Sequence, residues 1–196
     1  RSSVATTGLI DLTDTVVATD IINLSAGGNT LLLQGVYSIF GMFDGRVNGG
    51  AGADTVTVSA LGYGYVPVGV TLNGYGGDDA LTSGDGADTL TGGTGNDALY
   101  GGSRADRLTG GADRDSVFGG TGGDTIIISA AGDLQAGESY DGGDDFDTFS
   151  GGGVTTAASL VGVSLTNIEY LTGFSGGLTL TSAQLNGFLG KILTGN

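Results

Sequence analysis

The sequence predicts an all-β protein organised around a flattened parallel coil, and three observations carry that expectation. Residues 74–127 divide into six successive nonapeptides. One column of the nonapeptide is always Asp and another is always aliphatic, and 42 of the 196 residues are Gly while only 1 is Pro. A fixed short period is the mark of a repeat architecture, which a flexible linker would not keep.

The six units read GYGGDDALT, SGDGADTLT, GGTGNDALY, GGSRADRLT, GGADRDSVF and GGTGGDTII. Their sixth residues are Asp79, Asp88, Asp97, Asp106, Asp115 and Asp124, and their eighth are Leu81, Leu90, Leu99, Leu108, Val117 and Ile126. The last three residues of a unit alternate polar, apolar, polar, the pattern of a short strand that turns one side chain inward. The first six must reverse the chain, and glycine suits that task because it accepts positive φ and close backbone approach. Two units therefore close one coil with two parallel strands.

Stacking such coils places Leu81, Leu99 and Val117 on one wall of a thin core and Leu90, Leu108 and Ile126 on the other. It also gathers Asp79, Asp97 and Asp115 along one edge and Asp88, Asp106 and Asp124 along the other. Carboxylates about 4 Å apart repel by about 4 kcal/mol at an effective dielectric near 20, and a divalent cation between successive turns reverses that sign. Ca²⁺ fits best, because it takes oxygen ligands in a flexible geometry, whereas Mg²⁺ demands a tight octahedron. Softer metals would want His or Cys, and the chain has neither.

The flanks are expected to be β-rich as well. Residues 1–73 form an N-terminal region with the strand-length runs "TVVATDIINL", "TLLLQGV" and "YSIF". The unit GGAGADTVT at 49–57 repeats the pattern with Asp54 and Val56, and an irregular turn with Tyr63, Tyr65 and Pro67 carries the roll on to the array at 74–127. In 128–196, a capping region, the phase is lost after Ile127 and returns in GGDDFDTFS at 142–150 with Asp147 and Phe149. "GVSLTNIEYLTG" then predicts capping strands about an Asn-Ile-Glu turn. "LTLTSAQLNGF" predicts a short helix with Thr181 or Ser182 as N-cap and Leu185, Phe188 and Leu189 on one face. The chain opens on Arg1 and is read as a fragment or a processed product.

These units resemble the G-G-x-G-x-D-x-U-x repeat of RTX, or haemolysin-type, calcium-binding proteins. The resemblance implies a parallel β-roll in which Ca²⁺ lies between neighbouring turns of one edge. Its ligands would be the position-six carboxylates and the carbonyls of the Gly-rich turns. Carried onto this sequence, those are Asp79, Asp88, Asp97, Asp106, Asp115 and Asp124 with Gly77, Gly86, Gly95 and Gly122, joined by Asp54 and Asp147 in the outlying units. Arg104 and Asp113 replace Gly at position four and Tyr75 replaces it at position two, so sites are expected to be better formed around Asp79–Asp97 than near Arg104 and Asp113. Arg104, Arg107 and Arg114 are read as offsetting local acid.

Composition excludes much else. The net charge of -15 repels phosphate backbones and anionic membranes, so neither nucleic acid nor a membrane is an expected partner. No apolar run is long enough to span a bilayer. Without His or Cys there is no imidazole acid–base pair and no thiolate. "GFSGG" at 173–177 matches G-x-S-x-G in form, but nothing would activate Ser175, and a Gly-rich turn is expected. Glu138, Asp141, Asp144 and Asp145 are read as solvated turn acids or an extra cation site in preference to a glycosidase pair. Tyr63, Tyr65 and Tyr75 are read as aromatics buried under loops.

The expectation is a non-enzymatic extracellular module that folds and rigidifies on Ca²⁺. It would belong to a bacterial surface layer, matrix filament or adhesin, with copies of itself as partners. The alternative is the non-catalytic RTX region of a type I secreted protease, lipase or polysaccharide-modifying enzyme.

Overall fold

A computed structural model of the chain describes residues 2–3, 9–11, 21–33, 45–58, 69–187 and 193–194. Among these, strands alternate between two long parallel sheets. The ten-stranded sheet orders Ser2–Ser3, Ile21–Asn23, Arg46–Gly50, Thr71–Gly76, Thr89–Thr94, Arg107–Ala112, Thr125–Ile127, Thr148–Val154, Tyr170–Phe174 and Leu193–Thr194. The eight-stranded sheet orders Leu9–Asp11, Thr30–Leu33, Thr55–Val58, Ala80–Asp85, Ala98–Ser103, Ser116–Thr121, Ser139–Asp144 and Ser164–Thr166. Up to Thr148–Val154 successive described strands lie in alternate sheets, which makes the expected parallel β-roll, and beyond it Ala158–Ser159 and Leu178–Thr179 form a separate parallel pair.

The register follows the nonapeptide. Leu81 faces Leu99 and Leu99 faces Val117 in one sheet, while Leu90, Leu108 and Ile126 align in the other. All six are buried. Each such side chain is worth about 1.5–3 kcal/mol on burial, so substituting any one of them by Ala opens a cavity in a core with little else to fill it.

Both sheets continue into the flanks. Val47 pairs with Leu72 on the N-terminal side, and Val117 with Tyr140 and Ile126 with Phe149 on the C-terminal side. Coil length differs, however. Equivalent residues lie 18 apart in the array, 25 apart before it, and 23 then 22 apart after it. Longer coils enclose wider cores, and larger or additional side chains fill them: Leu31 with Leu33, Ile126 with Ile128, and the aromatic group Tyr140, Phe149 and Phe174. Tyr140 meets Phe149 edge-on at 5.1 Å and Phe149 stacks on Phe174 at 5.9 Å.

Where the nine-residue phase is lost, a 3-10 turn at Ala131–Asp133 intervenes, its Asp133 carboxylate accepting the Ala130 N–H at 2.8 Å. "GVSLTNIEYLTG" forms two strands about Asn167, which has a left-handed φ of 51°. The helix spans Ser182–Gly187. Thr181 caps it, accepting the Gln184 N–H at 3.2 Å while the Gln184 side chain accepts the Thr181 N–H at 2.8 Å, a reciprocal capping box. Leu185 is exposed. Phe188, Leu189, Tyr63, Tyr65, Pro67 and "YSIF" lie outside the described residues.

Candidate functional site

Each coil enters its strand through the position-six residue, and the stacking lines these residues up as expected: Asp54, Asp79, Asp97 and Asp115 on one edge, Asp88, Asp106, Asp124 and Asp147 on the other. All are buried. One oxygen of each carboxylate has a structural task. Oδ1 accepts a backbone N–H from the preceding coil: Asp54 to Asp79 at 2.7 Å, Asp79 to Asp97 at 2.8 Å and Asp97 to Asp115 at 2.9 Å. The opposite edge repeats this from Val70 to Asp88, Asp88 to Asp106, Asp106 to Asp124 and Asp124 to Asp147, at 2.7–2.8 Å. Hydrogen bonds to an ionised acceptor are stronger than neutral ones and fix the side chain in place.

The other oxygen has no partner. Oδ2 of every one of these eight aspartates is buried without a hydrogen bond, a state that costs the full desolvation of a charged atom unless something positive compensates. The first residue of each unit leaves room beside it. A Cβ on Gly101 would lie 2.5 Å from Asp106 Oδ2 and 2.6 Å from the Gly119 carbonyl, and one on Gly49 would lie 2.6 Å from both Asp54 Oδ2 and the Gly74 carbonyl. Glycine is needed there for space. The array has one exception, Ser83, whose hydroxyl donates to the Gly101 carbonyl at 2.6 Å.

Burial pushes the acids from Asp79 to Asp147 in these rows upward from the usual carboxylate range, opposed by the backbone N–H bonds and reinforced by neighbouring acids. Asp79, Asp115 and Asp147 rise to about 6, Asp97 and Asp124 to about 7 and Asp106 to about 8. Asp88 shifts the same way for the same first cause. Such groups near neutrality hold either a proton or a cation. Among the described residues no group of three or more His, Cys, Asp or Glu side chains is placed to hold a metal. An ion at these edges must therefore draw on backbone carbonyls beside one or two carboxylates, a donor set that suits Ca²⁺.

The turns stack in register too. Gly77 donates to the Thr94 carbonyl at 2.9 Å and Gly86 to that of Ser103 at 3.2 Å; Arg104 makes the equivalent bond to Thr121 at 2.6 Å. Arg104 keeps the turn by adopting a φ of 83°, Asp113 by 77° and Tyr75 by 74°. A side chain in the left-handed region costs about 1–2 kcal/mol, so these departures strain the roll without breaking it.

Against known families, a model described as the RTX calcium-binding nonapeptide repeat matches residues 43–60, 70–90 and 91–126, in 4 copies. These three segments, under half of the chain, carry the RTX calcium-binding nonapeptide repeat. No curated protein and no solved structure gives a significant match. Repeats of this kind support a calcium-binding β-roll module and are typical of secreted bacterial proteins. Among the described residues no helix is long and apolar enough to cross a membrane.

The RTX match includes Asp54 and stops short of Asp147, yet Asp147 occupies the same slot as Asp124 one coil later. Gly77, Gly86, Gly95 and Gly122 all lie in the turns at positive φ. Two sequence readings change and one holds. Glu138 is 1% exposed and is no solvated turn acid; only Asp144 and Asp145 of its group are exposed, Asp141 being half-buried with the Asn167 amide donating to it at 2.9 Å. Tyr75 is 59% exposed, because its left-handed backbone turns the ring outward. Ser175 lies in a turn between two strands and donates to the Val154 carbonyl at 3.2 Å, in keeping with the turn reading.

Sequence reasoning also missed Asn29. It fills the position-six slot one coil before Asp54, donating its amide to Asp54 Oδ1 at 2.7 Å, to the Ser25 carbonyl at 3.0 Å and to the Gly27 carbonyl. The signal was present in "GGNTLLL", where Asn stands two residues before the inward Leu31.

Proposed function

We propose that the chain is a calcium-responsive structural module of a bacterial surface layer, matrix filament or adhesin. Asp79, Asp88, Asp97, Asp106, Asp115 and Asp124, with Asp54 and Asp147, would hold Ca²⁺ together with turn carbonyls of Gly77, Gly86, Gly95 and Gly122. The observation that carries this reading is the double row of buried carboxylates, each with one bonded and one free oxygen. Where calcium is scarce, repulsion and desolvation oppose stacking. At extracellular calcium, sites with dissociation constants near 10⁻⁴–10⁻³ M are occupied, and ligand binding to the folded state alone stabilises it. In this reading 74–127 is the responsive segment, and 1–73 and 128–196 frame it.

A scaffold role is supported by the absence of His and Cys and by sheets that run in parallel register through the described residues. Electron microscopy of the purified chain with and without calcium tests it. Calcium-dependent lattices or filaments are expected; dispersed particles at all calcium concentrations would reject self-assembly and favour the RTX region of a larger secreted enzyme.

A further inference from the structure

Glu138 stands outside the matched repeats, in the coil that leaves the nine-residue period. Ser116 pairs with Ser139 in register, and the Ser139 N–H donates to the Asp115 carbonyl at 3.0 Å. Asp115 and Glu138 therefore fill the same edge slot in successive coils. The longer Glu side chain does not continue the ladder, since neither of its oxygens has a hydrogen-bond partner, although the residue is 1% exposed. Asp115 Oδ2 is likewise without a partner, and so is the hydroxyl of Tyr140, which is 0% exposed.

These groups influence one another electrostatically. Burial first, and then the Asp115 and Asp133 charges, raise Glu138 to about 7. Tyr140 is raised by burial and then by the Glu138 charge. Asp133 is engaged elsewhere, accepting the Ser129 and Ala130 N–H groups. Arg114 runs along the outside, 3.5 Å from the position a Cβ would take on Gly137, and is itself exposed. The interior thus gathers oxygen atoms of three side chains, with the Asp97 N–H on Asp115 Oδ1 at 2.9 Å and the Gln135 N–H and the phenol partly offsetting the shift of Glu138.

We propose that Asp115 and Glu138, with the Tyr140 hydroxyl against them, form a further Ca²⁺ site that closes one carboxylate edge beyond the nonapeptide array. An all-oxygen set on two carboxylates matches a hard cation, and an ionised carboxylate this deeply buried demands a positive partner. The site rests on the calcium reading of the edges and extends it to a residue that the repeat pattern does not contain.

The test counts calcium by equilibrium dialysis and follows tyrosine-sensitised emission from bound Tb³⁺. Glu138→Gln is expected to bind one ion fewer per chain than the unsubstituted protein. Both Glu138→Gln and Tyr140→Phe are expected to lose part of the sensitised emission. An unchanged calcium count and unchanged emission in Glu138→Gln would overturn the site and leave Glu138 a protonated core acid, with the edges unaffected. Absence of calcium binding in the unsubstituted protein would overturn the site and the edge reading together. Should Glu138→Gln not fold, Tyr140→Phe decides, because it removes the hydroxyl and keeps the ring; full emission there would overturn the site.

Discussion

The tight coils of 74–127 and the longer coils on either side use the same two sheets but are held by different forces. In the array each strand turns in one aliphatic side chain, and the turns stack acid upon acid. Before the array, Asn29 ends the acid row with an amide that donates to Asp54, and a partly buried ladder joins Asn73 to Asn48 and Asn48 to Asn23 at 2.8 Å each. After it, Tyr140, Phe149 and Phe174 supply aromatic packing. The flanks therefore carry more of their stability in contacts the chain makes with itself, and the array leaves more to an external cation.

The largest expected effect is calcium removal. At about 100 times its dissociation constant, a bound ion contributes about 2.7 kcal/mol, so a few sites rival the roughly 5–15 kcal/mol that holds an ordinary domain together. Hydrogen exchange in chelator should show the amides of 79–124 losing protection before those of Thr30–Leu33 and Thr148–Val154. Uniform loss would break the contrast between the regions.

Next comes pH in the absence of calcium, which sums over several acids. Asp97, Asp124 and Asp106 stand at about 7, 7 and 8 in the folded state, against about 3.9 when unfolded. The folded state thus binds more protons between those values, and its stability falls as pH rises from about 4 to 8. The urea midpoint of chelated protein should be higher at pH 5 than at pH 8, and calcium should remove the difference by replacing the protons. A chelated midpoint that rises with pH would contradict the free-oxygen reading.

Two substitution pairs sharpen the comparison further. A Cβ at Gly92 would collide with Asp97 Oδ2 and lie 2.6 Å from the Gly110 carbonyl, whereas one at Gly27 meets nothing within 4 Å. Gly92→Ala should cost about 1–3 kcal/mol, as overpacking does, and Gly27→Ala less than about 0.5, read by thermal unfolding in calcium. The smallest difference is between Asp97→Asn and Asp54→Asn. Asp97 has acids on both sides in its row, while Asp54 has the Asn29 amide on one. Asp97→Asn should weaken calcium binding about tenfold, or about 1.4 kcal/mol, and Asp54→Asn less; equal titration curves would place both in equivalent sites.

Much of this was legible in the chain. The walls Leu81–Leu99–Val117 and Leu90–Leu108–Ile126, and the two rows of Asp, follow from a nine-residue period in which the strand fixes which side chains point inward. The cap at Thr181 and the turn at Asn167 were equally local, since each depends on residues within one turn of chain. What escaped was set by coils of other lengths. Extra residues between strands erase the period without breaking the sheet, so the slots of Asn29 and Glu138 could not be assigned by counting nines.

The sequence alone sufficed for the period, the inward column, the acid edges and the choice of an oxygen-loving cation, because each is a property of one unit and its copies. Only the tertiary structure divided each Asp into a bonded Oδ1 and a free Oδ2, turned Tyr75 outward and buried Glu138 beside Tyr140. The reason is that burial and hydrogen bonding at a coil edge depend on what the neighbouring coil places against it, and that neighbour is 18, 22, 23 or 25 residues away according to how long the coil is.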